Sequence, residues 1–464
     1  MKTERHQSVE KTAPYFLKSE CFVFEHKGIK TAYFPDRSLA FAVNENAANL
    51  LGKLKMGAAP RTFSSTERKF VQNLRRLNLL SRSSSSENKQ KARQPKPLPF
   101  APTALTLLLT TDCNLRCVYC YSEGGDRENR TIPREAIQKA IDIIVENAFK
   151  TKTDTVYLTI HGGGEPTCAW DALVAAVNDF QNKAQAAGLR HATDISTNGV
   201  LSNMQREWIV KNMQSIQVSL DGIEEIQNKQ RPKADGSGSY ADVMKTLRYF
   251  EEQKARFCIR STVDDISPSA IESFVTELSR FSCCTSIHLE PLFFCGRCKT
   301  SGFAPPLAES FIKLYRAAVQ KADEMRFRVW YSGVNAERYK TRYCGVCDPN
   351  FCLTPEGHVT ACYEVSSLDD PRAAYFIYGR YDPNHHHFIL NEAMIRELQK
   401  RDVKNIPFCS NCFCKYHCAA DCAAKASSPE EINNDRCKIN RELTMDQIVA
   451  PLMKALSETS DETF

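Results

Sequence analysis

The stretch that decides the fold is TLLLTTDCNLRCVYCY, residues 106–121, in which an apolar run leads directly into closely spaced cysteines. The run predicts a buried β-strand, and the loop after it carries Cys113, Cys117 and Cys120 in the spacing Cys-x3-Cys-x2-Cys. A structural zinc site requires four ligands, and an iron–sulfur cube usually takes four thiolates. A loop that supplies only three thiolates can therefore leave one metal position open, which is what a catalytic centre needs.

Outward from this loop, the sequence predicts an α/β fold with a parallel sheet. Alternating apolar segments predict strands at 104–110, 154–160, 192–197, 215–220, 255–263 and 285–290. Helical spacing predicts helices at 133–149, 169–187, 203–212, 240–254, 268–281 and 307–325. Strand–helix units in series imply helical crossovers, and six units favour a partial (β/α) barrel, since a closed barrel has eight. Functional residues are then expected on loops at the carboxyl ends of the strands.

The cysteine loop resembles the signature of the radical S-adenosylmethionine (SAM) enzymes. The resemblance implies that Cys113, Cys117 and Cys120 hold a [4Fe–4S] cluster whose fourth iron binds SAM. It further implies that one electron cleaves SAM to a 5′-deoxyadenosyl radical, which abstracts a hydrogen atom from the substrate. Tyr119 matches the aromatic residue that family members place near the adenine. The alternative for the loop alone is a zinc site or a chance cluster.

Further segments resemble the SAM-binding motifs of this family, and each follows a predicted strand. HGGGEPT, residues 161–167, matches the Gly-Gly-Glu-Pro motif that holds the SAM amino group. STNG (196–199) and SLDG (219–222) resemble the segments that contact ribose and carboxylate, although their glycines also suit simple turns. Arg260 on the fifth strand is a further candidate. The predicted SAM contacts besides Tyr119 are Gly163, Gly164, Glu165, Pro166, Ser196, Asn198, Ser219, Asp221 and Arg260.

A second group of cysteines follows residue 331 and resembles the SPASM extension of radical SAM enzymes. The resemblance implies two auxiliary [4Fe–4S] clusters, and so three clusters in all. The first is assigned to Cys344, Cys347, Cys362 and Cys422, and the second to Cys409, Cys412, Cys418 and Cys437. Cys352 is an alternative to Cys344 or Cys347. Structural zinc is the alternative for the whole group, because Cys-x2-Cys pairs bind zinc well.

The first eighty residues predict a small β3α unit of winged-helix type. A hairpin is expected to turn at Lys27-Gly28, and Ser64 with Glu67 fits a capping box at a helix start. The unit resembles the peptide-recognition element of enzymes that modify ribosomally made peptides, in which an edge strand pairs with a leader peptide. A generic small domain is the alternative. A polar, serine-rich and lysine-rich segment at 81–103 then predicts a flexible linker.

Composition bounds the remaining possibilities. The 464 residues predict several domains: the recognition unit at 1–80, the barrel at 104–330, the SPASM region at 331–445, and a final helix and tail at 446–464. No apolar run is long enough to span a membrane and the start lacks a signal peptide, so a cytoplasmic protein is expected. The net charge of +6 gives no case for nucleic acid. In a reducing compartment, 20 cysteines indicate metal binding.

These resemblances imply a radical SAM maturase that oxidatively modifies a precursor peptide, through a thioether or carbon–carbon crosslink, with a flavodoxin or ferredoxin as electron donor. Tyr363, Glu364 and Glu290 are the candidate catalytic bases by position. Formylglycine formation is a rival, although the expected aspartate after Cys362 is absent. Epimerisation and a non-enzymatic iron–sulfur carrier or zinc-held scaffold also stay open, as do the roles of Cys295 and Cys298. The histidine tract 385–387 is expected to be a solvated loop.

Overall fold

The computed structural model describes residues 13–83, 99–425 and 435–461, with side chains to 458. Most of the predicted linker lies outside the described residues. The amino-terminal unit is an antiparallel sheet of three strands, β2 (Phe22–His26), β3 (Ile29–Phe34) and β4 (Leu39–Ala42), beside helices α1 (Glu45–Met56) and α2 (Ser65–Arg76). A short strand β1 (Phe16–Leu17) pairs with β5 (Leu80–Ser81) and closes the unit.

Local signals in the sequence explain the ends of these elements. Lys27 and Gly28 both have positive φ, 50° and 76°, which is the backbone that a tight hairpin turn requires. Helix α2 begins at a capping box in which the Ser64 hydroxyl and the Glu67 carboxylate each bind the other's backbone N–H. Leu50, Leu54 and Phe34 fill the core of the unit.

The main sheet has eleven strands in the order β12-β11-β10-β9-β8-β7-β6-β13-β14-β15-β16. Its parallel part confirms the predicted partial barrel. The strands that were predicted are β6 (Ala104–Leu108), β7 (Thr155–His161), β8 (Arg190–Thr197), β9 (Ser215–Ser219), β10 (Phe257–Val263) and β11 (Cys284–Pro291). Strand β12 (Val329–Trp330) extends one edge in parallel.

Helices cross between these strands and cover the sheet. They are α3 (Arg134–Thr151), α4 (Trp170–Ala186), α5 (Asn203–Asn212), α6 (Glu224–Gln230), α7 (Tyr240–Glu252), α8 (Pro268–Leu278) and α9 (Ala308–Glu324). The sequence missed only the short α6 among them. Apolar residues of the helices, such as Ile141 and Phe180, pack with Leu105 and Leu107 of β6 in one continuous core. This packing holds the carboxyl ends of the parallel strands at one edge.

The cysteine-rich region is not a separate body, because its first strand continues the barrel sheet. Strand β13 (Phe351–Leu353) pairs in parallel with β6, and β14 (His358–Thr360), β15 (Ile377–Asp382) and β16 (His387–Leu390) follow in antiparallel order. The region's helices are α10 (Ala373–Phe376), α11 (Glu392–Gln399), α12 (Lys415–Cys418) and α13 (Asp435–Asp461). The boundary predicted at residue 445 falls inside α13. None of the helices in the described ranges has the length and apolar character needed to cross a bilayer.

Candidate active site

The thiols of Cys113, Cys117 and Cys120 line one cavity of about 200 Å³ at the carboxyl ends of the parallel strands. All three are free of disulfides. Burial raises the pKa of Cys117 to about 11, although the nearby Arg231 guanidinium lowers it. Thiols held in such a place stay protonated until a metal binds and replaces the proton. The donor set therefore fits a metal centre held by three sulfurs.

The glycine motif fits closely around this loop, and only glycine can occupy its centre. The Gly164 N–H donates to the Thr110 carbonyl at 2.6 Å, and the Glu165 N–H donates to the Asp112 carbonyl at 2.8 Å. A Cβ atom added at Gly164 would lie 1.8 Å from the Asp112 carbonyl oxygen. Gly163 has a φ of +143°, which side chains disfavour. The motif thus forms a backbone cradle beside the three thiols, as binding of a small polar ligand requires.

The Glu165 carboxylate is buried beside the cradle and fixed by neighbouring loops. It accepts hydrogen bonds from the Thr197 hydroxyl and the Asn198 N–H, both at 2.7 Å. Burial raises the pKa of Glu165, while these hydrogen bonds and that of Thr167 lower it. A cation in the cavity would favour the ionised carboxylate. This arrangement fits the predicted contact to an ammonium group.

Tyr119 belongs to a buried network rather than standing alone. Its hydroxyl donates to the Asp221 carboxylate and accepts from Arg231 at 2.7 Å. Asp221 also accepts from the Thr262 N–H at 2.9 Å and does not line the cavity. Burial raises the pKa of Tyr119 well above its usual value, so the phenol is neutral. Asp221 is therefore placed to hold Tyr119, with no direct opening to the cavity.

The other predicted SAM contacts divide in the same way. Ser196, Asn198, Ser219 and Arg260 line the cavity, whereas Pro166 does not. The Arg260 guanidinium donates to Nδ1 of His288 at 2.9 Å, and His288 stacks on Trp330 with ring centroids 3.6 Å apart. The stack orients Arg260 toward the cavity.

A brace that the sequence did not reveal closes over the cysteine loop. The Arg297 guanidinium donates to the Cys117 carbonyl at 2.7 Å and to Asp126 at 2.8 Å, and its backbone N–H donates to the Cys120 carbonyl at 3.0 Å. Gly296, with φ +50°, permits this approach, because a Cβ there would lie 2.2 Å from the Cys120 carbonyl oxygen. Its only signal in the sequence is the Gly-Arg pair between two cysteines. The brace fixes the backbone that carries two of the three thiols.

The candidate bases occupy different surroundings. Glu290 lines the cavity and accepts hydrogen bonds from His288 at 3.0 Å and the Ser332 N–H at 3.2 Å. Burial opposes its ionisation, but His288 and the charges of Arg436 and Lys425 outweigh burial and hold the pKa of Glu290 well below its usual value. That weakens Glu290 as a base.

Glu364 lines the cavity, whereas Tyr363 does not. Burial raises the pKa of Tyr363 to about 12, and its hydroxyl accepts from Thr106 at 3.2 Å. Lys425 lies 3.5 Å from Glu364, and its side chain is 10% exposed. The sequence did not single out Lys425, since a lone lysine after an alanine pair carries no motif.

The cavity opens into an outer groove of about 1140 Å³. Residues of the barrel and of the cysteine-rich region line both spaces: Tyr121, Ser122, Phe293, Cys295, Glu364 and Lys425. Exposed rings of Phe294 and Tyr375 stand at the groove. The barrel and the cysteine-rich region thus build both spaces together.

The cysteines after residue 331 lie in two groups. In the first, burial and then the charges of Glu364, Cys422 and Cys344 hold the pKa of Cys362 well above its usual value. Cys344 similarly raises the pKa of Cys347, after burial. Burial alone raises the pKa of Cys352, whose backbone pairs with Thr106 and Thr360 within the sheet. This placement favours Cys344 and Cys347 over Cys352 as ligands.

The second group surrounds helix α12. Burial and then Cys418 and Cys412 raise the pKa of Cys409 to about 11. Burial and then Cys418 raise the pKa of Cys437 to about 12. A hydrogen bond from the buried Cys414 lowers the pKa of Cys418. These mutual effects indicate that Cys409, Cys412, Cys418 and Cys437 are neighbours, and Cys414 is an additional neighbour that the spacing did not reveal.

The chain has similarities to known proteins that bear on this site. Residues 107–267 match the Radical SAM superfamily. Mycofactocin maturase MftC of Mycobacterium tuberculosis is 26% identical over 338 residues, 70% of this chain and 79% of that protein. A cysteine-type anaerobic sulfatase-maturating enzyme of Clostridium novyi is 27% identical over 158 residues, 33% of this chain. The matches span 42% of that enzyme and 58% of the uncharacterized protein MJ0907 of Methanocaldococcus jannaschii, so the chain covers about half the length of these two relatives.

Solved structures show the same fold at low identity. The structure of anSMEcpe with bound AdoMet superposes with a TM-score of 0.58 at 17% identity, over 76% of this chain and 99% of that one. Streptococcus suis SuiB bound to S-adenosylmethionine gives a TM-score of 0.52 at 16% identity, over 91% of this chain and 100% of that one. The cysteine loop, the glycine cradle and the six parallel strands lie within or beside the matched segment. The part of the chain from residue 107 to residue 267 is therefore a domain of the radical SAM superfamily.

Proposed function

We propose that this protein is a radical SAM peptide maturase, which oxidatively modifies a ribosomally synthesised precursor peptide. The observation that carries the proposal is the convergence of Cys113, Cys117 and Cys120 on a cavity that shares its outer wall with a groove of about 1140 Å³. The similarity to mycofactocin maturase over 338 residues extends beyond the radical SAM domain and supports a maturase.

Each element of the inner site has a role in this proposal. The three cysteines hold a [4Fe–4S] cluster, and the Gly163–Glu165 cradle and Arg260 bind SAM. When bound, the cluster and SAM together supply a 5′-deoxyadenosyl radical that removes a hydrogen atom from the peptide. Tyr119, neutral and hydrogen-bonded, provides an aromatic wall for the adenine.

The two cysteine groups of the later region are proposed to hold auxiliary [4Fe–4S] clusters. The first comprises Cys344, Cys347, Cys362 and Cys422 and borders the groove through Glu364. The second comprises Cys409, Cys412, Cys418 and Cys437. The peptide loses one hydrogen atom and then one further electron and one proton, so it is oxidised by two electrons. Held by these eight cysteines, the auxiliary clusters would supply an acceptor for that electron, and a flavodoxin or ferredoxin is the proposed electron donor.

The amino-terminal unit is proposed to bind the leader part of the precursor. Strand β4 pairs only with β3 among the described strands, although helix α13 also packs against β4, and its unpaired edge is the proposed site for an extended peptide. Phe41 of β4 packs edge-on against Phe70 of α2, with ring centroids 6.2 Å apart, which forms an apolar floor beside that edge. Holding the leader raises the effective concentration of the core peptide at the groove.

The test is anaerobic reconstitution of the protein with iron and sulfide, followed by incubation with SAM and a reductant. The substrate is the short precursor peptide that is encoded beside the gene for this protein. We expect 5′-deoxyadenosine and a peptide lighter by two hydrogens, both detected by mass spectrometry. Cys117→Ala should abolish both products, whereas Cys258→Ala, outside every cysteine group, should retain them. Zinc in place of iron, or no SAM cleavage, would refute the radical chemistry.

The peptide product also separates the rival reactions. Unchanged mass with deuterium uptake from solvent would instead establish epimerisation. Conversion of a cysteine or serine to an aldehyde would establish formylglycine formation, the rival reaction; the Clostridium novyi relative is named a sulfatase-maturating enzyme. Tyr363 and Glu364 follow Cys362 in place of the aspartate expected for that reaction, so we favour the crosslink.

A further inference from the structure

A group of possible metal ligands lies outside the cysteine groups, at the tip of the hairpin between β15 and β16. Asp382 ends β15, His387 begins β16, and the two are paired in register. His385 lies in the turn between them. One ligand atom from each of Asp382, His385 and His387 lies within 4.8 Å of the other two. From the sequence, this tract was expected to be a solvated loop rather than a metal-binding tract.

The turn is shaped so that alternate histidines share a face. His386 has a φ of +49°, in the left-handed region that histidine seldom adopts. Its Nδ1 lies 2.9 Å from the Tyr381 hydroxyl. Tyr381 and Asp382 are consecutive strand residues and so point to opposite faces. His386 therefore turns away from Asp382, while His385 and His387 stand on the side of the carboxylate.

The carboxylate is held in place for a ligand. The Asn384 N–H donates to Asp382 Oδ1 at 3.0 Å, and His385 Nδ1 lies 2.9 Å from Oδ2. The Asp382 side chain is 14% exposed, whereas that of His385 is 72% exposed. One face of the group is thus fixed against the strand and the other is open to solvent.

We infer that Asp382, His385 and His387 form a surface site for a borderline divalent cation of the zinc, nickel or copper class. Two imidazoles and a carboxylate suit these ions better than magnesium or calcium, which prefer all-oxygen sites. Strand β16 is the last strand of the described sheet and pairs only with β15. A bound cation joins the ends of these two strands and so stabilises the exposed edge of the sheet.

The test is titration of the fully reconstituted, iron-loaded protein with Ni²⁺ under anaerobic conditions, by calorimetry and by equilibrium dialysis. We expect the parent protein to bind one Ni²⁺ per chain. His385→Asn and Asp382→Asn should each lower the affinity for Ni²⁺ by at least about tenfold. The matched control is His386→Asn, in the same tract but on the other face, which should bind Ni²⁺ as the parent does. Circular dichroism checks that each variant folds.

A second readout locates the ion. Ni²⁺ should slow amide hydrogen exchange in residues 383–388 of the parent and of His386→Asn, but not of His385→Asn. Equal weakening by His386→Asn would reduce the site to a non-specific histidine tract and overturn the inference. Unchanged binding in His385→Asn and Asp382→Asn, or no binding by the parent, would overturn it as well.

Discussion

The hydroxyl of Tyr33 lies 2.5 Å from Nε2 of His417, so the amino-terminal unit and the cysteine-rich region share a buried hydrogen bond. His417 Nδ1 lies 3.0 Å from the Asn335 carbonyl oxygen and 3.1 Å from that of Arg338. Nδ1 therefore carries the proton, and Nε2 accepts from the tyrosine. Burial lowers the pKa of His417, which keeps the ring neutral. His417 directly precedes Cys418, so the contact joins the proposed leader-binding unit to the second cysteine group.

Tyr33→Phe should weaken this contact, because it leaves the fully buried Nε2 of His417 without its donor. We expect a loss of about 1 to 3 kcal/mol in stability and a lower thermal midpoint. Differential scanning calorimetry of the reconstituted protein measures the change. Tyr157→Phe, at an exposed ring, is the matched control and should have little effect. Equal midpoints for the Tyr33 variant and the parent would contradict this prediction.

Removal of iron should loosen the same junction. Lys415 and His417 both lie between the proposed ligands Cys412 and Cys418, and Lys415 donates to Glu20 at 2.8 Å. If metal holds this loop, removing the metal by oxidation and chelation should speed amide hydrogen exchange in β2 and β3. Exchange in helix α8 of the barrel should change less. Mass spectrometry of peptides measures both. Unaltered exchange in the two strands would show that the junction does not depend on metal.

Gly164→Ala should disable the inner site, since the new methyl group would meet the Asp112 carbonyl at 1.8 Å. Displacing the backbone that carries the cysteine loop by about 1 Å should lower 5′-deoxyadenosine formation by about a hundredfold. Gly52→Ala, in helix α1 with no atom within 4 Å, is the control and should leave activity intact. Product is measured by liquid chromatography. Near-parental turnover in Gly164→Ala would refute the cradle.

Arg297→Gln should make the inner cluster more labile. It removes a charged hydrogen bond to the Cys117 carbonyl, which contributes about 1.5 to 3 kcal/mol, and an ion pair with the half-exposed Asp126, which contributes up to about 1 kcal/mol. We expect iron to leave faster when a chelator is added. The decay of the cluster's visible absorbance measures this rate. Arg280→Gln, at an exposed helix end, should lose iron at the parental rate. The same rate in both variants would remove Arg297 from its bracing role.

Lys425→Met should uncouple SAM cleavage from peptide modification. It removes the ammonium group that lies 3.5 Å from Glu364, at the junction of the inner cavity and the groove. A misplaced peptide reacts less often with each radical, so more 5′-deoxyadenosine should form per modified peptide. Lys425→Arg keeps the charge and should restore part of the coupling. An unchanged ratio in Lys425→Met would show that the ion pair does not position the substrate.

The sequence predicted the barrel well, because its signals are local. Periodicity placed the six parallel strands and their helices within a few residues, and the three-cysteine loop was recognisable from its spacing. The capping box at Ser64 predicted the start of α2. These features depend on short stretches of chain, and the hydrogen-bonding and packing rules for such stretches are well established.

Contacts between segments that are distant in the chain were harder to predict from the sequence. Arg297 closing over Cys117, and Lys425 facing Glu364, join residues far apart in the chain with no pattern to connect them. The predicted SAM contact Asp221 lies behind Tyr119, because the tyrosine hydroxyl occupies its carboxylate. A motif identifies a residue type at a strand end, but the surrounding side chains decide whether it opens to the cavity.

The pairing of β13 with β6 has a consequence for biosynthesis. Phe351 and Leu105 are partners in the sheet, although almost 250 residues separate them. During translation, the strand preceding the cysteine loop acquires its second neighbour only after the entire barrel has left the ribosome. Such a long loop closure slows the last folding step. An early nascent chain thus exposes that strand's edge until the cysteine-rich region has been synthesised.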